Sequence, residues 1–168
     1  LWLVSCGSGG TEQVMPEVKP LTTFYLVRHA EKVEDGSKNP PLTEKGMMRA
    51  EKISQLFAKV APDALYATPF IRTQSTLQPL ADTLGLSVET YDAALDLVQL
   101  MDEMLTIHAG QKVFIAGHSN TIPGMLNVLV GDNVYEDFSH DQYNDIFVVS
   151  LSEKGKAVVT RLQLEVTE

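Results

Sequence analysis

The stretch Thr22-Thr23-Phe24-Tyr25-Leu26-Val27-Arg28-His29 decides the fold class of this chain. Its first six residues are β-branched, aliphatic or aromatic, which is typical of a short strand buried in a core. A strand without polar alternation is characteristic of a parallel sheet that helices cover on both faces. Arg28 and His29 follow at once, so two polar side chains stand where the apolar run ends.

Strand and helix patterns alternate after this first strand. Further strands are predicted at 63–68, 87–91, 112–116, 146–151 and 157–165, and helices at 43–60, 73–84, 94–108 and 123–130. The last two strands flank the turn 152–155 and are expected to form a hairpin. This order predicts an α/β fold: a three-layer α/β/α sandwich with a mostly parallel central sheet and an antiparallel C-terminal edge.

Composition limits the binding partners, disulfide bonds and structural metal sites that this chain can have. With 168 residues, 44% of them hydrophobic, the chain is long enough to bury a core without disulfide or metal support. Its net charge of −9 repels phosphate backbones, so we predict no nucleic-acid partner. The single cysteine, Cys6, excludes a disulfide within the chain and any multi-cysteine metal site.

We interpret residues 1–20 as a sorting signal and flexible tether, and residues 21–168 as the folded domain. Leu3-Val4-Ser5-Cys6 resembles the lipobox of bacterial lipoproteins, and a Gly/Ser stretch follows it. The resemblance implies a lipid anchor on Cys6 that holds the domain on a membrane surface of the bacterial cell envelope, facing outside the cytoplasm. The alternatives are an ordinary secretory cleavage site and a tail with a chance cysteine.

Cationic side chains follow three of the predicted strands. Arg28 and His29 come after the first strand, Arg72 after the second and His118 after the fourth. Ligands of such folds bind at the carboxyl ends of the strands, so we expect one convergent pocket. Arginine suits phosphate oxygens, one imidazole can attack phosphorus, and the other can stabilise developing charge. This chemistry needs no metal, and we predict no metal and no other cofactor.

Four separated motifs resemble those of the histidine phosphatase superfamily, whose members include the phosphoglycerate mutases. They are Leu26-Val27-Arg28-His29-Ala30-Glu31-Lys32, Leu42-Thr43-Glu44-Lys45-Gly46 with Arg49-Ala50, Tyr66-Ala67-Thr68-Pro69-Phe70-Ile71-Arg72-Thr73-Gln74-Ser75-Thr76, and Ala116-Gly117-His118-Ser119-Asn120-Thr121. The resemblance implies a phosphoglycerate mutase-like fold and a metal-independent phosphomonoesterase. Short connections leave the pocket open to water, which favours a phosphatase over a mutase.

Roles are carried over from this family only at the matching positions. His29 would be the nucleophile that becomes a phosphohistidine. Arg28, Arg72 and His118 would hold the phosphoryl group, together with the backbone N–H of Ser119. His29 must be neutral to attack, and the two guanidinium groups are expected to lower its pKa. Phosphorylated small molecules and phosphoproteins are the expected substrates, and the sequence does not separate them.

The general acid is less clearly marked in this sequence. Ser119 occupies the position that is Asp in one branch of the family. We predict Glu31 as the acid because it lies two residues after His29, with the alternative that it orients an arginine or faces solvent. Further candidates are Glu89, Asp92, Asp96 and Asp145.

Two other functions are compatible with the sequence. Gly117-His118-Ser119-Asn120-Thr121 approximates the G-x-S-x-G elbow of serine hydrolases, in which Ser119 would be the nucleophile. A non-catalytic envelope lipoprotein that only binds a phosphorylated anion is the other alternative.

Overall fold

The computed structural model describes residues 19–167, so Cys6 and the predicted lipobox lie outside the described residues. The elements of this part are β1 (Thr22–Arg28), α1 (Glu44–Phe57), β2 (Ala64–Ala67), α2 (Ile71–Leu84), β3 (Val88–Thr90), α3 (Leu97–Ile107), β4 (Lys112–Gly117), α4 (Thr121–Val130), β5 (Asp145–Leu151) and β6 (Val158–Gln163). Within these residues, no helix combines the length and the apolar character needed to cross a bilayer.

All six strands form one mixed sheet in the order β3-β2-β4-β1-β5-β6. The first four strands are parallel to one another, whereas β5 runs antiparallel to β1 and β6 antiparallel to β5. The predicted fold class, a mostly parallel sheet with an antiparallel C-terminal edge, is therefore confirmed.

Helices cover both faces of the sheet. Along β1, Phe24 and Leu26 pack with the apolar residues of α3 and α4, whereas Tyr25 and Val27 pack with those of α1 and α2. Side chains of a strand alternate between faces, so an uninterrupted apolar run supplies both cores at once. The three predicted layers follow from this alternation.

Each of the four helices has one boundary that lies two or three residues from its predicted position; α2 and α4 each begin two residues earlier. Helix α3 begins at Leu97 and not at 94, because Asp96 caps it by accepting a hydrogen bond from the Val98 N–H (2.8 Å). The carboxylate of Asp92 binds the Ala94 N–H in the same way (2.9 Å). Such side chain–backbone bonds compete with helix formation, and they hold the preceding residues in a turn. Helix α1 ends at Phe57, short of the predicted residue 60.

The first turn of α1 packs closely against the backbone of the segment that follows β1. Thr43 is the N-cap, as predicted, and its hydroxyl accepts from the Gly46 N–H (3.1 Å). A Cβ atom on Gly46 would lie 2.2 Å from the carbonyl oxygen of Glu31, so only glycine permits this approach. The contact fixes the backbone immediately after His29.

Candidate active site

Four of the predicted site residues lie at the carboxyl ends of three adjacent strands. They are Arg28, His29, Arg72 and His118. Arg28 pairs in register with Gly117, and Ala67 with Ala116, so β1, β4 and β2 end at the same level. The rings of His29 and His118 lie 5.6 Å apart, centroid to centroid. The predicted convergence of strand ends is therefore present.

Backbone groups of neighbouring residues fix the orientation of His29. Its N–H donates to the carbonyl of Gly117 (2.9 Å), and its Nδ1 lies 2.8 Å from the carbonyl oxygen of Ala30. A carbonyl only accepts, so Nδ1 carries the proton and Nε2 keeps its lone pair. The neighbouring Ala30 has no positive φ, consistent with alanine in place of the family's glycine.

The pKa of His29 is lowered to about 3. Burial is the largest cause; the hydrogen bond to Ala30 opposes it, and the charges of Arg28 and Arg72 lower the pKa further. The guanidinium groups were expected to supply this effect, and burial contributes more than they do. Either way the imidazole is neutral at neutral pH, which nucleophilic attack requires.

The His118 side chain is held by the hydroxyl of Thr68, which is held in turn by that of Thr73. Its Nε2 lies 2.9 Å from Thr68 Oγ1, which lies 2.8 Å from Thr73 Oγ1. The Thr73 hydroxyl donates to backbone carbonyls, so the Thr68 hydroxyl donates to Thr73 and His118 Nε2 donates to Thr68. The pKa of His118 is lowered to about 4 by burial, then by Arg72 and Arg28.

Arg28 is fixed by the chain that precedes β5. Its Nη1 donates to the carbonyls of Ser139 (2.9 Å), His140 (3.0 Å) and Gln142 (3.1 Å). Its Cζ lies 4.1 Å from the centre of the Tyr143 ring, whose hydroxyl is 3.5 Å from Nη2. The Nε of Arg28 is buried and has no partner among the described residues.

Arg72 is held differently. Its Cζ lies 4.3 Å from the centre of the Phe70 ring, and its side chain makes no hydrogen bond within residues 19–167. Its Nε is also buried without a partner in this part of the chain. Two buried, unpaired guanidinium N–H groups beside His29 cost free energy unless an anion accepts from them.

The family model of the histidine phosphatase superfamily (branch 1) matches residues 24–97, which contain three of the four predicted motifs. The match spans less than half of the 168 residues, and over this part the chain is similar to that superfamily. No curated protein sequence matches it.

Solved structures of similar fold include two that carry phosphatase names. The protein histidine phosphatase SixA, complexed with tungstate, is 19% identical with a TM-score of 0.70, over 84% of this chain and 96% of that one. A phosphoserine phosphatase variant from Entamoeba histolytica, in complex with phosphoserine, is 15% identical with a TM-score of 0.64, over 83% of this chain and 95% of that one. YhfR of Bacillus stearothermophilus is 14% identical with a TM-score of 0.67, over 82% of this chain and 95% of that one. At these identities the likeness concerns the fold.

The Glu31 carboxylate is engaged by an arginine and is not free to act as an acid. Its carboxylate accepts from Arg49 Nε (2.8 Å) and Nη2 (2.7 Å), and only 15% of its side chain is exposed. Burial raises the pKa of Glu31, but the hydrogen bonds and charge of Arg49 outweigh it and the net pKa is lowered. This geometry favours the alternative role, in which Glu31 orients an arginine. Asp145, another candidate acid, is bound in the same way by Arg161.

The serine hydrolase alternative gains nothing from the geometry around Ser119. The Ser119 hydroxyl makes no hydrogen bond to a histidine among the described residues, and His118 Nε2 is engaged by Thr68. The Ser119 carbonyl accepts from the Phe138 N–H (2.9 Å). Its own N–H has no protein acceptor within the described residues, which leaves it able to bind the phosphoryl group as predicted.

Three further features of the site were not predicted. These are the aromatic rings of Phe70 and Tyr143 against the two arginines, and the hydroxyl of Thr68 against His118. Phe70 and Thr68 lie inside the motif of residues 66–76, so the sequence indicated that they belong to the site. Tyr143 offered none, because the contact depends on a loop that returns to the pocket from far along the chain. In the described part of the chain, no three His, Cys, Asp or Glu side chains converge as a metal site would require.

Proposed function

We propose that this chain is a metal-independent phosphomonoesterase that acts through a phosphohistidine on His29. The observation that carries the proposal is the pair of buried Nε–H groups of Arg28 and Arg72, which have no partner within residues 19–167 and lie beside a neutral imidazole. Guanidinium forks match phosphoryl oxygens, and an uncharged Nε2 is the form that attacks phosphorus. The match of residues 24–97 to the family model of the histidine phosphatase superfamily (branch 1) supports this assignment.

The reaction has two steps. His29 Nε2 forms a bond to phosphorus while the ester P–O bond breaks, and the leaving oxygen takes a proton from solvent. Water then attacks the phosphohistidine, the N–P bond breaks, and inorganic phosphate leaves with neutral His29 restored. Arg28 and Arg72 stabilise the charge that develops on the phosphoryl oxygens in both steps, and His118 adds to this when its Nδ1 is protonated, because its Nε2–H already binds Thr68.

The proposed substrates are phosphorylated small molecules or phosphoproteins. Names of similar structures support both classes, since one is a protein histidine phosphatase and another is in complex with phosphoserine. The carboxylates of Glu31 and Asp145 are paired with arginines, which favours leaving groups that need little protonation.

Hydrolysis of an aryl phosphate in the presence of a chelator tests the proposal. Wild type is expected to be active, whereas His29→Ala is expected to lose activity and the acid-labile phosphate label on the denatured protein. His108→Gln is the matched control, because His108 lies in a separate network with Tyr66 and Gln111. Equal activity in His29→Ala, or activity abolished by the chelator, would contradict the mechanism. Anion binding without turnover would favour the binding-only alternative.

We also propose that Cys6 carries a lipid that holds the domain at the bacterial cell envelope. The support is the Leu3-Val4-Ser5-Cys6 pattern followed by the Gly/Ser stretch. Chain made in bacteria from its own gene should incorporate labelled fatty acid and sediment with membranes. Cys6→Ser should do neither; labelling that persists in this variant would exclude the anchor.

A further inference from the structure

The backbone that binds Arg28 belongs to a segment without helix or strand. We define residues 138–143 as the arginine-binding loop, because its carbonyls at 139, 140 and 142 all accept from Arg28 Nη1. The loop is fastened at its start by the Phe138 N–H, which donates to the Ser119 carbonyl (2.9 Å). The Phe138 ring also stacks on Phe147, with centroids 5.7 Å apart.

The end of the loop is fastened by charged side chains. Gln142 Nε2 donates to Asp145 Oδ2 (2.6 Å), and Asp145 accepts from Arg161 Nε (2.7 Å) and Nη2 (2.8 Å). The carbonyl of the same Gln142 binds Arg28 (3.1 Å). A continuous hydrogen-bonded chain therefore leads from the edge strand β6 to the phosphate-binding arginine.

Apart from Phe138 at its start, close packing does not fix this loop. Concavities of about 510 Å³ and about 230 Å³ border it, and both are lined by Gln142 and Arg161. Side chains beside open space can shift, whereas a bidentate guanidinium–carboxylate pair has a defined geometry. Only 4% of the Asp145 side chain is exposed, so its bonds are little weakened by water, although 53% of the Arg161 side chain is exposed.

We propose that Asp145 and Arg161 are positioning residues that hold the arginine-binding loop and so set the orientation of Arg28 for the phosphoryl group. The inference rests on the proposed function, in which Arg28 binds that group. Neither residue touches the substrate; both act through the Gln142 carbonyl. If the loop shifts, the Nη1 group of Arg28 loses its carbonyl acceptors. The Arg28 side chain must then be ordered when the anion binds, and this cost weakens both anion binding and stabilisation of the transition state.

Tungstate binding, measured by calorimetry on the whole chain, tests the inference without turnover. Asp145→Asn and Arg161→Gln should each bind tungstate about tenfold more weakly than wild type. Glu153→Gln is the matched control, since Glu153 forms an exposed ion pair with Lys156 away from the loop, and should bind as wild type does. Circular dichroism verifies folding, and Arg161→Gln keeps the test valid if Asp145→Asn does not fold.

A double-mutant cycle separates positioning from a general structural role. In an Arg28→Lys background, Asp145→Asn should weaken tungstate binding by less than about twofold, because the fork it positions is gone. In an Arg72→Lys background the loss of about tenfold should remain. Equal losses in both backgrounds, or wild-type binding by both single variants, would overturn the inference. A wild type that binds no tungstate would overturn the proposed function itself, so the two failures are distinguishable.

Discussion

The two arginines of the candidate site line the same pocket but are held by different means. Arg28 ends a central strand and donates to three backbone carbonyls of the arginine-binding loop. Arg72 lies in the first turn of α2 and is held by stacking on Phe70 alone among the described residues. Each aromatic ring that carries an arginine also faces one histidine: Tyr143 lies 6.0 Å from His29, and Phe70 lies 5.3 Å from His118.

The difference separates stability from function at this site. The hydrogen bonds of Arg28 join the pocket to the C-terminal part of the chain, so this side chain contributes to folding as well as to anion binding. The Arg72 donors have no partner within residues 19–167, and repulsion by the charge of Arg28 lowers the pKa of Arg72 beyond the effect of burial. We infer that Arg72 contributes to catalysis with little benefit to the fold.

Removing either arginine gives the largest expected effect. Arg28→Ala and Arg72→Ala should each lower kcat/KM by about 10³, because each removes donors to the transition state. Urea unfolding should separate them: Arg28→Ala should lose about 2 kcal/mol, the cost of hydrogen bonds to a charged group, and Arg72→Ala less than about 0.5 kcal/mol. Equal destabilisation by both variants would contradict the comparison.

The hydroxyl of Thr68 should matter next most. Thr68→Val keeps the shape but removes the acceptor for His118 Nε2, so kcat should fall about 30-fold with a smaller change in KM. Thr68→Ser is the control and should keep most activity, since it retains the hydroxyl. A fully active Thr68→Val would exclude this orienting role.

The aromatic rings test whether one arginine depends on its ring more than the other. Phe70→Leu should raise KM for an aryl phosphate about tenfold, because Arg72 loses the contact that holds it. Tyr143→Leu should raise KM only about threefold, because the backbone carbonyls still hold Arg28. Steady-state kinetics of the two variants should show this order, and the reverse order would be evidence against it.

Proton titration should distinguish the two arginines as well. Both histidines have lowered pKa values, so removing a positive charge raises them and extends protonation to higher pH. Arg28→Gln should raise the pKa of His29 more than Arg72→Gln does, because the charge of Arg28 lowers that pKa more. The order should reverse for His118, whose pKa is lowered more by the charge of Arg72. Titration of the imidazole signals by NMR measures both shifts, and identical shifts in the two variants would contradict the assignment.

The smallest effect on activity is expected at Glu31. Glu31→Gln should change kcat less than about twofold for alkyl and aryl substrates alike, because the carboxylate is committed to Arg49. The same variant should destabilise the fold by about 3 kcal/mol, since it leaves Arg49 buried without its counter-charge. A selective loss with alkyl phosphates, whose leaving groups need a proton, would restore Glu31 as the general acid.

Local pattern predicted the elements well where one interaction dominates. The run before Arg28 predicts a buried strand, and Thr43 was read correctly as an N-cap, because burial and capping are decided by neighbouring residues. The start of α3 was wrong by three residues, because the carboxylates of Asp92 and Asp96 compete for backbone N–H groups. The Glu31 prediction rested on nearness in sequence, which does not show where a side chain points.

The sequence by itself determined the layered fold and the meeting of Arg28, His29, Arg72 and His118. Parallel strands bring their carboxyl ends to one edge, so residues that follow such strands converge whatever lies between them. Only the tertiary structure decided how those side chains are held: Tyr143 against Arg28, Arg49 against Glu31, and Arg161 against Asp145. These contacts join segments far apart in the chain, and their geometry depends on how loops and edge strands pack, which no local periodicity records.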